Sequence, residues 1–167
     1  MGDVKIRPAV AADIPTILDL IRELAEFERE PDSATATPDQ MYDALFGPRA
    51  VAYAIMAEDA ADTFGFALYF FNFSTWTGQR GLYLEDFYVR PSARGRGVGR
   101  ILFARLGSIA QETGCRRLEL AVLSWNKNAI RFYEQHGGSS LDEWTHYRFG
   151  VEEIARIASH SANKEAR

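Results

Sequence analysis

Cysteine is almost missing from this chain: Cys115 is the one cysteine in 167 residues, which excludes an intramolecular disulfide. Histidine is scarce too. His136, His146 and His160 are too scattered for a ligand set, and with no His-x-x-x-His or paired-cysteine spacing the sequence argues against a metal site. No uninterrupted apolar run approaches bilayer-spanning length, and no N-terminal apolar stretch precedes a cleavage site. Neither a membrane partner nor secretion is expected, and a reducing cytoplasm fits a lone thiol best. A basic excess is also absent. With 19 Lys and Arg against 23 Asp and Glu, the formal net charge of −4 argues against a broad nucleic-acid surface and tolerates a cationic substrate. There is no internal repeat and no low-complexity tract. What remains is a 47% hydrophobic chain of single-domain length, with a domain expected over residues 1–157 and a small, polar tail over 158–167 expected to fray.

The periodicity predicts an α/β chain. Val4 to Arg7 reads as a first strand, and Ala12 to Glu28 carries Ile14, Ile17, Leu18, Ile21, Leu24 and Ala25 at helical spacing. Thr37-Pro38-Asp39-Gln40 has the form of a capping box with proline at the first helical position, opening a helix to about Leu45. Residues 50–58 and 63–73 read as a hairpin of antiparallel strands, and Leu82 to Val89 as another strand. Val98, Ile101, Leu102, Leu106 and Ile109 form one helical stripe that should stop near Gly114. Arg117 to Leu123 is predicted as a strand, Asn126 to His136 as a helix ended by Gly137-Gly138, and Thr145 to Val151 as a last strand.

Between a strand and a helix lies Arg94-Gly95-Arg96-Gly97-Val98-Gly99-Arg100. Glycines let a ligand approach the backbone, and free amides at a helix start present donors and the positive end of the dipole to an anion. A Walker loop would need Gly-Lys followed by Ser or Thr, whereas Gly99 is followed by Arg100 and Ile101. A dinucleotide fingerprint would need G-x-G-x-x-G at the first strand-to-helix turn, and this G-x-G-x-G lies past mid-chain. A plain glycine-rich turn is the competing reading, and the interleaved arginines favour an anion site.

Arg94-x-x-Gly97-x-Gly99 resembles the acetyl-coenzyme A loop of the GCN5-related N-acetyltransferases. The strand 82–89, the helix after the loop, the strand Leu118 to Leu123, Trp125-Asn126 and Ala129-Ile130-Arg131-Phe132-Tyr133 extend the resemblance to about Val151. Arg22 to Glu28, Ser74-Thr75-Trp76, Leu82 to Asp86 and Leu120 to Asn126 are similar to the diamine and thialysine acetyltransferase branch. The resemblance implies one domain with a central mixed, mostly antiparallel, twisted sheet flanked by helices on both faces. It also implies a homodimer, by analogy alone.

The resemblance makes Tyr133 the general acid. A departing coenzyme thiolate has a pKa of roughly 8.5 and a phenol one near about 10, so a neutral tyrosine can donate a proton as the C–S bond breaks. A buried packing aromatic beside Ile130 and Phe132 is the alternative. Glu85 and Asp86 put two carboxylates into an apolar strand, a costly arrangement unless water, a hydrogen bond or a cation compensates. The resemblance assigns Glu85 to the acceptor amine as base. Strand alternation sets the pair on opposite faces unless a bulge intervenes, and Glu85 is the one expected in the cleft.

The coenzyme's amide-bearing arm is implied to meet Phe87, Tyr88 and Val89 through their backbones, and Asn126 and Ala129. Its phosphates are implied to meet residues 94–100, namely Arg94, Gly95, Arg96, Gly97, Val98, Gly99 and Arg100. Asn126 also reads as a helix N-cap. For the acceptor, the resemblance implies Phe27, Glu28, Trp76, Glu85, Asp86 and Glu143, an aromatic and acidic lining suited to an ammonium group. A solvated acidic helix face is the alternative for Glu23, Glu26, Glu28 and Glu30. Polyamine-specific members carry an acidic residue and proline before the tryptophan, where this chain has Ser74-Thr75, as thialysine-type members do. Gly137-Gly138 departs from the usual Gly-Ala.

Together these readings predict acetyl-coenzyme A-dependent transfer to a primary amine of a small molecule, by direct attack, since no nucleophile motif surrounds Cys115. A thialysine or lysine-like amino acid leads. A diamine or polyamine is the alternative acceptor, and protein lysines or N-termini are a further one. A non-catalytic acetyl-coenzyme A sensor is the alternative class.

Overall fold

The apolar patterns resolve into one sheet in the computed structural model, which describes residues 4–162. Its strands are β1 (Lys5–Pro8), β2 (Tyr53–Glu58), β3 (Thr63–Ser74), β4 (Gln79–Val89) and β5 (Leu118–Leu120), in the order β1-β2-β3-β4-β5. The first three pairings are antiparallel and β4–β5 is parallel. That parallel pairing needs a crossover, which α3 (Val98–Glu112) supplies.

Alternation along the strands loads both faces. Ala54, Met56, Phe66 and Leu68 pack with Ile17, Leu20, Met41 and Leu45 of α1 (Ile14–Phe27) and α2 (Pro38–Phe46). Ile55, Ala57, Ala67 and Tyr69 pack with Val98, Leu102, Leu106 and Ile109 of α3 on the other face. The sheet is therefore mixed, mostly antiparallel and helix-covered on both faces. The α2 capping box forms as predicted: the Gln40 amide donates to Thr37 Oγ1 at 3.3 Å, and the Thr37 amide donates to Gln40 Oε1 at 2.9 Å.

The chain divides into two compact units, Met1–Leu123, which holds the sheet, and Ser124–Arg167, which holds α4 (Lys127–Gln135) and α5 (Val151–Ala162). Residues 158–162 of the polar tail continue α5, and 163–167 lie outside the described residues.

Three predicted strands are corrected. Residues 50–52 stay out of β2 because the Val51 and Ala52 amides donate to Ala44 O and the Ala50 amide to Gly47 O, closing the end of α2. β5 stops at Leu120 instead of Leu123, because β4 bulges just past Leu84, the partner of Leu120. Residues 145–150 are not a strand, and Val151 opens α5 instead. The alternation of Tyr147 and Phe149 is real, yet both are exposed, and a strand needs a hydrogen-bonded neighbour to exist.

Candidate active site

The glycine-rich loop joins the end of β4 to the start of α3. Gly95 and Gly97 have φ of 74° and 81°, and a Cβ on either would meet nothing within 4 Å. Backbone conformation, rather than crowding, selects glycine there. Gly97 is the N-cap of α3, and the first intrahelical bond runs from the Ile101 amide to Gly97 O. The amides of Val98, Gly99 and Arg100 consequently have no intrahelical acceptor, an arrangement suited to an anion. A Cβ at Gly99 would lie 3.9 Å from the Phe87 ring and from Val89 Cγ2, ordinary contact, so the helix start rests on the end of β4 without a clash.

The arginines of the loop divide their work. Arg94 Nε donates to Val89 O at 2.9 Å, and its guanidinium lies 5.0 Å from the Phe27 ring centroid and 5.6 Å from that of Tyr88. Arg96 lies 4.9 Å from the Phe64 centroid. Arg100, exposed on the first turn of α3, has no hydrogen bond or ion pair among the described residues. Its guanidinium is open to solvent.

Opposite the loop, β4 carries the bulge. Leu68 pairs with Asp86 and Tyr69 with Leu84, which leaves Glu85 as an extra, unpaired residue. The bulge reverses the strand's faces: Leu82 and Leu84 pack on the α3 side, whereas Tyr88 packs on the α1 side. Asp86 follows Tyr88 to the α1 side and is half-buried, while Glu85 is exposed. The parallel pairing with β5 ends at Leu84, so beyond it the outer edge of β4, with Phe87, Tyr88 and Val89, has no strand neighbour among the described residues. Backbone groups on that edge are open to an amide-bearing chain.

Burial, and after it the charges of Glu85 and Glu28, push the Asp86 carboxyl up to about 6. Burial also raises Glu28, at the C-terminal cap of α1. The helix stops there because Arg29 adopts φ 67°, with the Arg29 amide donating to Glu26 O and the Glu30 amide to Ala25 O. A fork fixes these last turns against the sheet. Arg90 donates from Nε and Nη2 to Glu23 Oε1 at 2.9 and 2.7 Å, and from Nη1 to Thr63 O at 3.0 Å. Phe27, Glu28, Asp86, Tyr88 and Arg94 are thus brought to one place.

Trp76 is not among them. It stands 89% exposed at the tip of the β3–β4 hairpin, past the Ser74–Gln79 pairing and well along the ladder from Asp86. In the unit 124–167, Asn126 Oδ1 accepts from the Ala129 amide at 3.2 Å, so the expected N-cap forms and joins two predicted coenzyme residues. Tyr133 is half-buried on α4 with the Phe132 ring 5.4 Å away, and Glu143 is exposed in a turn. Sequence reasoning missed Glu23, Arg90 and the Tyr88 ring. The available signal was Glu23 lying one helical turn before Phe27, on the same stripe.

A sequence profile of the acetyltransferase (GNAT) family matches residues 17–138, spanning the glycine-rich loop, the bulged strand and α4. The chain belongs to the acetyltransferase (GNAT) family. This N-acetyltransferase is 36% identical to a thialysine N-epsilon-acetyltransferase of Sus scrofa, over 95% of its own length and 99% of the relative's. It is 37% identical to spermidine/spermine N(1)-acetyltransferase-like protein 1 of Homo sapiens, over 95% of its own length but 24% of that protein. Its fold matches an integron cassette protein from the mobile metagenome of V. cholerae with a TM-score of 0.78 at 28% identity, covering 95% of this chain and 98% of the other. GNAT acetyltransferases in general use acetyl-coenzyme A, and this acetyltransferase fits it: left-handed glycines, the first amides of α3 and the solvent-open Arg100 suit a pyrophosphate, and the open β4 edge suits an amide chain.

Proposed function

We propose that this acetyltransferase moves an acetyl group from acetyl-coenzyme A to the primary amine of a small, lysine-like amino acid, with thialysine as the leading acceptor. Two half-buried carboxylates, Asp86 and Glu28, set beside Phe27 at the end of α1, carry that reading, because a cationic chain is what such a pair would hold. The relatives described as thialysine N-epsilon-acetyltransferases support the acceptor class, and Ser74-Thr75 supports it over a longer polycation.

Bound acetyl-coenzyme A supplies the thioester that serves as acetyl donor. The amides of Val98, Gly99 and Arg100, with the Arg100 guanidinium, hold its phosphates. Residues 87–89 hold the amide-bearing arm, and Asn126 and Ala129 contribute to the same task. Asp86 and Glu28 bind the acceptor's cationic end while Phe27 packs on its methylenes. Glu85, exposed at the bulge, takes up the proton that the amine sheds, directly or through water. Tyr133 holds the phenolic proton that goes to the departing sulfur. The same reading carries a homodimer in the cytoplasm.

Free-thiol release from acetyl-coenzyme A across thialysine, lysine, ornithine, putrescine and spermidine tests the proposal. Fast release with thialysine and slow release with spermidine is the expected order. The reverse order favours the second reading, a polyamine acceptor, which the likeness to spermidine/spermine N(1)-acetyltransferase-like protein 1 supports.

A further inference from the structure

The Arg94 side chain is engaged with protein groups on two neighbouring elements. Its Nε is committed to Val89 O at the end of β4, and its guanidinium covers the Phe27 and Tyr88 rings. Phe27 ends α1 and precedes Glu28, whereas Tyr88 is one residue from Val89 on the open β4 edge and two from Asp86. One exposed side chain, that of the loop's first residue, therefore touches the end of β4 at Val89 and Tyr88 and the end of α1 at Phe27. Across that contact, the Tyr88 hydroxyl faces Glu23, which is held by Arg90. A shift of the loop on taking up an anion has a direct mechanical route to Phe27 and Glu28, and Arg94 is its first link.

We propose that Arg94 is a positioning residue that couples occupancy of the glycine loop to acceptor binding at Phe27 and Glu28, so that coenzyme and amine each tighten the other's binding. This rests on the acetyltransferase reading of both sites. The physical warrant is that a guanidinium stacked on two rings carries a favourable interaction that depends on the separation of loop and helix. Any ligand that fixes that separation biases it for the other ligand, and the bias is reciprocal.

Calorimetric binding of coenzyme A, with and without saturating thialysine, reads the coupling without turnover. In the unaltered chain, thialysine should tighten coenzyme A by about 5-fold or more. Arg94→Ala should bring that ratio close to 1, Phe27→Leu should do the same, and the double variant should lose nothing further. Arg100→Gln should weaken coenzyme A several-fold while preserving the ratio, since Arg100 faces the ligand alone. A ratio preserved in Arg94→Ala, or a ratio of 1 in the unaltered chain, overturns the proposal. Failure of the underlying reading looks different: no thiol release from acetyl-coenzyme A with any amine. Unchanged near-ultraviolet dichroism of Arg94→Ala excludes a general loss of fold.

Discussion

Asp86 carries a charge that its surroundings disfavour. Its carboxyl is raised from 3.8 to about 6, so the folded state binds the proton more tightly than the unfolded chain does. Stability from this group is complete below about pH 4 and is lost as pH rises through about 6. Asp86→Asn, neutral throughout, should therefore gain on the unaltered chain between pH 4 and 7, by at most about 3 kcal/mol, in urea unfolding followed against pH. A gain that grows toward acid pH would contradict the assignment. On the proposed reading an ammonium group compensates the cost: the rate with limiting amine should fall below about pH 6, and the part of that acidic limb due to Asp86 should vanish in the variant. Tyr133→Phe should lower turnover by about one to three orders of magnitude with coenzyme affinity nearly unchanged. At the loop, Gly97→Ala should cost about 1–2 kcal/mol because φ is 81°, whereas Gly99→Ala should melt as the unaltered chain does and lose coenzyme affinity. At this scale the sequence was readable where chemistry is local. Asn126 as an N-cap and Asp86 as a costly carboxylate could both be read directly, whereas Glu85, expected to share that cost, is exposed. The partnership of Arg90 with Glu23, 67 residues apart, could not be read, because nothing local encodes it.

At the scale of elements, the bulge in β4 is the decisive departure from regularity. It takes up Glu85 as an exposed extra residue, so that Asp86 and Tyr88 lie on the α1 side, and it coincides with the end of the β5 pairing that leaves the edge open. Deleting Glu85 would remove the bulge and let Asp86 follow Leu84 directly, which restores simple alternation and keeps Tyr88 on the α1 side. The deletion should keep an unfolding midpoint in urea close to that of the unaltered chain and lose activity, whereas Glu85→Gln should fold normally and shift its rate–pH profile toward alkaline pH. Helix limits with capping signals were legible: Thr37 and Gln40 form the predicted box, and α3 stops by Gly114 at φ 71°. Strand limits were not, since a strand's extent depends on its neighbour. Residues 50–52 were claimed by the end of α2, and residues 145–150 have strand alternation without a strand.

For the whole molecule, fold class and family were legible because several weak signals agreed: the glycine loop, the acidic strand, and the asparagine and tyrosine of α4. The unit 1–123 contains the sheet, the glycine-rich loop and the carboxylates Glu28 and Asp86, and the unit 124–167 contains Asn126 and Tyr133. On the proposed reading the acceptor amine attacks the thioester directly. The most direct measurement is the identity of the products after the purified chain is incubated with thialysine and acetyl-coenzyme A, by mass spectrometry and NMR. One acetyl group on the terminal amine of thialysine, one equivalent of free coenzyme A and an unmodified protein are predicted. Free acetate with unmodified thialysine, or an acetyl group retained on the protein, would contradict the account.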